Sequence, residues 1–207
     1  MIRALSAVAV SALLLAACGQ PATEPAPAPA PEAPAPAAPA TPTPDANALT
    51  AGGYGPLRIG MTKAEVIAAV GDKFNPSLVG GAEPDICDQW RPARSPEGVT
   101  VMLENGVLTR ISVASPATLK TDRGFGVGDT AAAIKAAYGP LAVSTPHKYS
   151  PAPAEDIFVW TTGGPATAGD YVQDVNARGV RYEINAEGKV SIIHIGGPSI
   201  QLVEGCS

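Results

Sequence analysis

The sequence predicts an α+β fold of two tandem repeats, each a short helix followed by about three antiparallel strands. Three observations predict this fold: an internal sequence match, a change from helical to strand-like patterning after each matched segment, and turn residues between the strand-like segments. A Pro- and Ala-rich segment before the repeats is predicted to be a disordered linker. We expect a signal peptide at 1–17, a lipidated cysteine and linker at 18–48, and repeats at 49–120 and 121–207.

The first eighteen residues have the features of a bacterial secretory signal. Arg3 precedes an uncharged, mainly apolar run at 4–17, which is shorter than the roughly twenty residues that cross a bilayer. The run ends in Leu-Ala-Ala-Cys at Cys18, which resembles the lipobox of bacterial lipoproteins. This resemblance implies cleavage before Cys18 and its acylation by chains such as palmitate, which anchor by about 0.8 kcal/mol per buried methylene. An ordinary signal peptide with an incidental cysteine is the alternative.

The membrane that carries the anchor is predicted from the residues after the cysteine. Gly19 and Gln20 follow Cys18, so no Asp stands at the position that resembles an inner-membrane retention signal. We therefore expect an outer-membrane lipoprotein of a Gram-negative bacterium that faces the periplasm.

The linker is predicted from its composition. Residues 21–44 are nearly all Pro and Ala, with Glu24 and Glu32 as the only charges. Because Pro is excluded from helix interiors and from sheet pairing, we expect an extended polyproline-like spacer that reaches roughly 70 Å at about 3.1 Å per residue. A ligand for a proline-binding domain is the alternative.

The two predicted helices lie in the internal sequence match. Residues 59–71 align with residues 127–139, sharing glycines, a threonine and three alanines. Thr62 and Thr130 are suited to cap the helix N-termini, and each helix is expected to end at the glycine that closes its segment. The apolar residues four apart in each helix are expected to face the core: Val66 and Val70, and Ile134 and Tyr138.

Strand-like segments follow each predicted helix. In the first repeat, strands at 99–103 and 107–113 flank Glu-Asn-Gly, and Asn-Gly is a strong hairpin signal. In the second, strands at 180–184 and 190–195 flank Asn-Ala-Glu-Gly. Earlier strands are expected at the following residues: 86–91 and 156–161.

Parts of these repeats resemble known envelope proteins. Ile-Gly-Met-Thr-x-x-Glu-Val at 59–66 resembles the start of the SmpA/OmlA family of outer-membrane assembly lipoproteins, and the tandem arrangement is similar to the β-lactamase inhibitor protein fold. Thr-Pro-His-Lys-Tyr at 145–149 and the ending at 197–206 resemble a group of uncharacterised Gram-negative envelope proteins, some labelled lectin. The resemblances imply a protein-interaction module, for assembly or enzyme inhibition, or a lectin-like carbohydrate-binding one. They supply no catalytic residues.

Two cysteines remain once Cys18 is assigned to the lipid. Cys87 and Cys206 form an even pair in an oxidising compartment, so we expect a disulfide bond between them. It would join the end of the second repeat to a strand of the first. A redox-active pair is the alternative, although the Cys-x-x-Cys spacing is missing.

The motif search predicts a protein that is not an enzyme. The sequence has no Gly-x-Ser-x-Gly, His-Glu-x-x-His or Walker-type phosphate loop, so no catalytic residue and no cofactor is predicted. The two histidines are His194, in a predicted strand, and His147, in a proline-flanked loop. A metal site formed from both with Asp156 or Glu155 is an alternative, but we predict no metal.

Charge and aromatic residues limit the classes of partner. The net charge of −5 argues against nucleic acid, whose phosphates require a basic face. A partner is expected to be an envelope protein or a glycan, in addition to the membrane itself. Core filling is the favoured interpretation of the tryptophans, and a ligand-binding surface is the alternative for five residues: Trp90, Trp160, Tyr149, Tyr182 and His147.

Overall fold

The computed structural model describes residues 45, 47–74, 83–166 and 169–206. These residues belong to one compact unit, Pro42–Ser207. The predicted signal peptide, Cys18 and nearly all of the predicted linker lie outside the described residues. Within the described ranges, no helix is both long and apolar enough to cross a membrane.

The dominant element is one antiparallel sheet of seven strands in the order β3-β4-β5-β9-β8-β7-β6. A two-stranded ribbon and two short α-helices accompany it. The bounds are β1 Gly53–Tyr54, β2 Leu57–Arg58, α1 Lys63–Val70, β3 Cys87–Trp90, β4 Val99–Glu104, β5 Val107–Ala114, α2 Ala131–Tyr138, β6 Val143–Pro146, β7 Glu155–Thr162, β8 Arg178–Ile184 and β9 Val190–Gly196. Short 3-10 turns occupy Gly139–Leu141 and Pro198–Gln201.

Both helices begin at the predicted threonines. The Thr62 side chain accepts a hydrogen bond from the Glu65 backbone N–H, and the Glu65 carboxylate accepts one in return from the Thr62 backbone N–H. Thr130 caps α2 through the Ala133 N–H but has no reciprocal partner, because Ala stands where α1 has Glu. The glycines that follow each helix confirm the predicted C-termini.

Both predicted hairpins are confirmed. Asn105 and Gly106 connect β4 to β5 with positive φ angles of 50° and 76°, which Asn and Gly adopt most readily. The second hairpin closes with Gly188 at a φ of 70° and with the Asn185 N–H bonded to the Lys189 carbonyl. Local turn residues therefore determine the pairing of β4 with β5 and of β8 with β9.

The two faces of the sheet have different chemistry. The helix face carries an apolar core with Val66, Val70 and Ile134 from the helices. The opposite face is covered by residues 197–206, which we call the C-terminal strap. This strap face bears the polar side chains that alternate with the core residues along the strands.

The predicted disulfide is confirmed and fastens the end of this strap. Cys87 on the edge strand β3 is bonded to Cys206, across a sequence separation of 119 residues. The disulfide therefore ties the C-terminal end of the strap to β3, the edge strand farthest from β6.

The α+β class is confirmed in a strand-rich form, and two details differ from the prediction. Four strands, not three, follow α2, because Val143–Pro146 pairs with β7. The β1–β2 ribbon was not predicted, since two-residue strands are too short to show alternation. All strands after α1 join one continuous sheet, whose centre is the pairing of β5 with β9.

Equivalent hydrogen bonds occur around the two helices. The Gly60 N–H donates to the Leu108 carbonyl at 2.8 Å, and the Gly128 N–H donates to the Val190 carbonyl at 2.9 Å. The Lys63 N–H and the Ala131 N–H likewise donate to the glycines of the two hairpins, Gly106 and Gly188, at 2.9 and 3.0 Å.

Candidate functional site

A cluster of buried polar side chains lies on the strap face. Its members come from β5, β7, β8 and β9, so distant parts of the sequence contribute to it. Five of its side chains belong to residues that are at most 9% exposed: Arg110, Ser112, Asp156, Arg181 and His194. Buried groups of this kind require partners, because desolvation of an unpaired charge costs several kcal/mol.

Arg181 is fully buried and ties the sheet to the strap. Its Nε donates to the Asp156 carboxylate at 2.9 Å, and its Nη1 donates to the Ile200 carbonyl at 3.2 Å. Burial raises the pKa of Asp156, and the charge of Arg181 opposes that rise. The contact of Arg181 with Asp156 orients the guanidinium that bonds the middle of the strap.

Arg110 makes a second connection to the strap. Its Nη1 donates to the carbonyls of Ser199 at 3.1 Å and Leu202 at 2.8 Å. Burial, together with the nearby charge of Arg181, lowers the pKa of Arg110 to about 10, so the side chain stays protonated at neutral pH. Its Nε is buried and has no hydrogen-bond partner in the described part of the chain.

Glu183 lies between the two histidines. Its Oε1 is 3.5 Å from Nε2 of His147 and its Oε2 is 3.5 Å from Nε2 of His194. The His194 ring and the Arg181 charge lower the pKa of Glu183 to about 2, against the effect of burial. Burial, with Arg110 and Arg181 nearby, lowers the pKa of His194 to about 4, so its ring is neutral at neutral pH.

The two histidines differ in how their ring nitrogens are bonded, and Nε2 of His194 is buried with no hydrogen-bond partner in the described part of the chain. Nδ1 of His147 accepts hydrogen bonds from the backbone N–H groups of Tyr149 and Ser150, both at 3.1 Å, so its Nε2 carries the proton when the ring is neutral. Nδ1 of His194 lies 2.8 Å from the Ser112 hydroxyl. Among the described residues, no group of three His, Cys, Asp or Glu side chains is placed to hold a metal ion.

An apolar groove of about 460 Å³ lies beside the strap. It is lined by the strap, by the loop between β7 and β8, by the start of β5, and by Ile59 and Gly60. Three exposed apolar side chains border it, with exposed fractions of 37% for Val107, 58% for Tyr171 and 76% for Val175. We call this cavity the apolar groove.

The walls of the apolar groove are held by polar contacts. The Gln201 side-chain amide accepts from the Val172 N–H and donates to the Val172 carbonyl, each at 2.9 Å, and so joins the loop to the strap. Arg178 donates to the Val175 carbonyl at 2.9 Å, which fixes the loop beneath Val175. The groove is therefore preformed, which lowers the entropic cost of binding.

A second cavity, an aromatic pocket of about 180 Å³, shares Tyr171 with the apolar groove as a lining residue. Phe158 and Trp160 of β7 line it, with Thr145 and Asp170 among its polar groups. Trp160 packs tightly on glycine: a Cβ added to Gly179 would lie 2.9 Å from Cε3 of the indole. The Trp160 ring is therefore fixed in place on β8.

The five aromatic and histidine residues considered as ligand-binding residues do not form one site. Trp90 and Tyr182 are fully buried in the core of the helix face, where they offer no surface to a ligand. Trp160 lines the aromatic pocket on the strap face. His147 contacts Glu183, and Tyr149 is exposed beside it, with ring centroids 6.4 Å apart.

Several residues of the strap face were missed by sequence reasoning. Arg110 and Glu183 carry no motif, and only their positions between apolar residues in the strands could have indicated a buried polar row. Tyr171 lies in a Gly-rich loop, which offers no periodic signal. The two histidines do converge on one carboxylate, but it belongs to Glu183; Glu155 instead pairs with Lys135 at 2.7 Å.

No protein-family model matches this chain, and neither a curated protein nor a solved structure is significantly similar to it. Its function is therefore inferred from the geometry of the strap face.

Proposed function

We propose that this protein is an outer-membrane lipoprotein, anchored through Cys18 and facing the periplasm, whose folded domain binds another envelope protein without catalysing a reaction. The observation that carries the proposal is the apolar groove with three exposed side chains at its border: Val107, Tyr171 and Val175. Exposed apolar residues collected at one preformed groove are typical of protein-interaction sites. The occupant we propose is an apolar segment of the partner protein.

The non-enzymatic part of the proposal is supported by the burial of the polar cluster. Ser112 and His194 form the pair that most resembles a nucleophile with its base, at 2.8 Å. Ser112 is only 9% exposed and His194 only 5%, so a substrate has little access to either. Their place inside the buried polar cluster supports a structural role instead.

Tandem repeats in the folded domain are also part of the proposal. They are supported by the equivalent hydrogen bonds around Gly60 and Gly128, and by the central pairing of β5 with β9. In that pairing Ile111 opposes Ile195 and Val113 opposes Ile193, an arrangement expected when two equivalent strands meet at a two-fold axis. The axis would pass through the Ser112–His194 pair.

The interaction is tested with the full-length lipoprotein purified in detergent. Proteins captured from envelope extract are identified, purified and titrated against the wild type and against Val175→Asp. A charge in the apolar groove is expected to weaken binding at least about tenfold. Leu141→Asp is the matched control, because Leu141 is 59% exposed but does not line the groove. Equal binding by all three proteins would exclude the groove as the contact.

Carbohydrate binding is a second candidate function, favoured by the aromatic pocket. Trp160 and Tyr171 present aromatic surface beside Thr145 and Asp170, a combination suited to stacking on sugar rings and bonding their hydroxyls. Saturable binding to peptidoglycan or to a glycan, lost in Trp160→Ala but kept in Tyr149→Ala, would support this function. Binding that both variants keep would place any glycan elsewhere.

A further inference from the structure

The C-terminal strap forms part of both cavities, so its position determines their shape. Pro198, Ser199 and Leu202 line the apolar groove, and Gln201 lines the aromatic pocket. Any movement of the strap away from the sheet would remove one wall of the groove.

The strap is fastened unevenly along its length. Its first half is bonded to Arg110 and Arg181 through the carbonyls of Ser199, Ile200 and Leu202, and the Ser199 hydroxyl donates to Glu104. In the described structure, residues 203–206 make no backbone–backbone hydrogen bond. Their ion pair, Lys148 with Glu204 at 3.7 Å, is between exposed side chains and contributes little. The disulfide is therefore a covalent attachment of an end that is otherwise held by the packing of Gly205 against Gln89 and Arg110.

The end of the strap covers a charge that water would solvate better. Gly205 packs so closely on Arg110 that a Cβ there would lie 2.8 Å from Nη2 of the guanidinium. Arg110 is 2% exposed, and burial lowers its pKa. If residues 203–206 lift, water competes with the carbonyls of Ser199 and Leu202 for the Arg110 guanidinium, so opening at the end also loosens the groove-lining half of the strap. The disulfide opposes that opening.

We propose that the Cys87–Cys206 disulfide is a redox-sensitive latch that holds the strap closed over Arg110 and keeps the apolar groove formed. Both cysteines are partly exposed. One thiolate of the reductant attacks a sulfur of the bond to form a mixed disulfide, and its second thiol then resolves it. The reductant is oxidised to a disulfide, and Cys87 and Cys206 gain two electrons and two protons as thiols. The control of partner binding by this latch rests on the proposed function.

Hydrogen exchange of the full-length lipoprotein measures the opening directly. The N–H groups of Ile200 and Leu202 donate to carbonyls within the strap, both at 3.1 Å. After treatment with a dithiol, we expect these amides to exchange at least about tenfold faster while amides of β5 and β9 keep their rates. The Cys87→Ser, Cys206→Ser double variant is the control, and should exchange fast with or without the dithiol. Unchanged strap exchange, or equal acceleration in the central strands, would overturn the proposal.

The effect on the groove is measured with anilinonaphthalene sulfonate as an apolar probe. Probe binding that is lost in Val175→Asp reports the groove, and we expect reduction to weaken that binding by about fivefold or more, because a preformed wall is lost. Unchanged affinity after the strap opens would overturn the latch as a control of the groove. If the oxidised protein captures no envelope protein, the proposed function fails. Hydrogen exchange and probe binding then still show whether reduction opens the strap and removes the groove.

Discussion

Buried charges on the strap face are bonded to particular partners, although Nε of Arg110 has none among the described residues. Arg181 has Asp156 and two strap carbonyls, and Arg110 has two strap carbonyls and the Gln89 side chain at 3.3 Å. On the helix face, burial of Asp88 is outweighed by Lys73 and Lys63, which lower its pKa through contacts of 2.9 and 3.0 Å. Each buried charge therefore depends on a particular partner, and removing one should be costly.

Asp156→Asn is expected to lower the free energy of unfolding by about 3 kcal/mol, because it leaves Arg181 buried without its closest counter-charge. Urea-induced unfolding measures this. Lys135→Gln, which breaks the more exposed Lys135–Glu155 pair, should cost less than about 1 kcal/mol. Similar losses in the two variants would contradict a special role for the buried pair.

Acid should destabilise the protein through His194. The unfolded state binds a proton at this histidine below about pH 6.5, whereas the native state, facing Arg110, Arg181 and Glu183, binds it only near pH 4. The free energy of unfolding is therefore expected to fall by up to about 3 kcal/mol between these pH values. Unfolding measured across this range should show a smaller dependence in His194→Asn. If the free energy of unfolding depends on pH equally in the wild type and in His194→Asn, His194 is not the source of the acid destabilisation.

At the scale of elements, the two helices are alike in position but differ in capping. In α1 the contact between Thr62 and Glu65 is reciprocal, whereas Thr130 of α2 caps alone. Both helices have only eight residues, so their stability depends on caps and on packing against the sheet.

Completing the capping box of α2 should stabilise the protein. Ala133→Glu is expected to raise the free energy of unfolding by about 0.5 kcal/mol, because Ala133 is exposed and a carboxylate there can accept from the Thr130 N–H. Thr62→Ala should lower it by about 1 kcal/mol. Thermal unfolding measures both changes. Ala132→Glu is the control for Ala133→Glu, because it adds a carboxylate in the same turn but outside the capping box. Equal stabilisation by the two glutamates would indicate a charge effect alone.

The disulfide acts at the scale of the whole molecule, because it joins an edge strand to the end of the chain. Cys206→Ser is expected to lower the free energy of unfolding by up to about 4.7 kcal/mol, since the bond closes a loop of more than a hundred residues in the unfolded state. Denaturant unfolding with and without a dithiol measures the loss. A dithiol should have no further effect on the variant, and an additional loss would point to another redox-active group.

The sequence by itself determined the elements whose causes are local. Thr62, Thr130 and Asn105-Gly106 act on neighbouring backbone groups, so the helix starts and the first hairpin were predictable from a few residues each. The pairing of Cys87 with Cys206 was predictable by counting, once Cys18 was set aside as the predicted lipidation site.

Only the tertiary structure decided the sheet order and the strap face. Alternation along a strand shows which residues share a face, but the pairing of β5 with β9 depends on contacts across the whole domain. Arg110 meets the Ser199 carbonyl across 89 residues of sequence, a contact without any local signal. Trp90 and Trp160 occupy similar positions in the sequence, each in a strand before a hairpin, but Trp90 lies in the core and Trp160 lines a pocket. Their burial differs because it depends on which elements cover each face of the sheet.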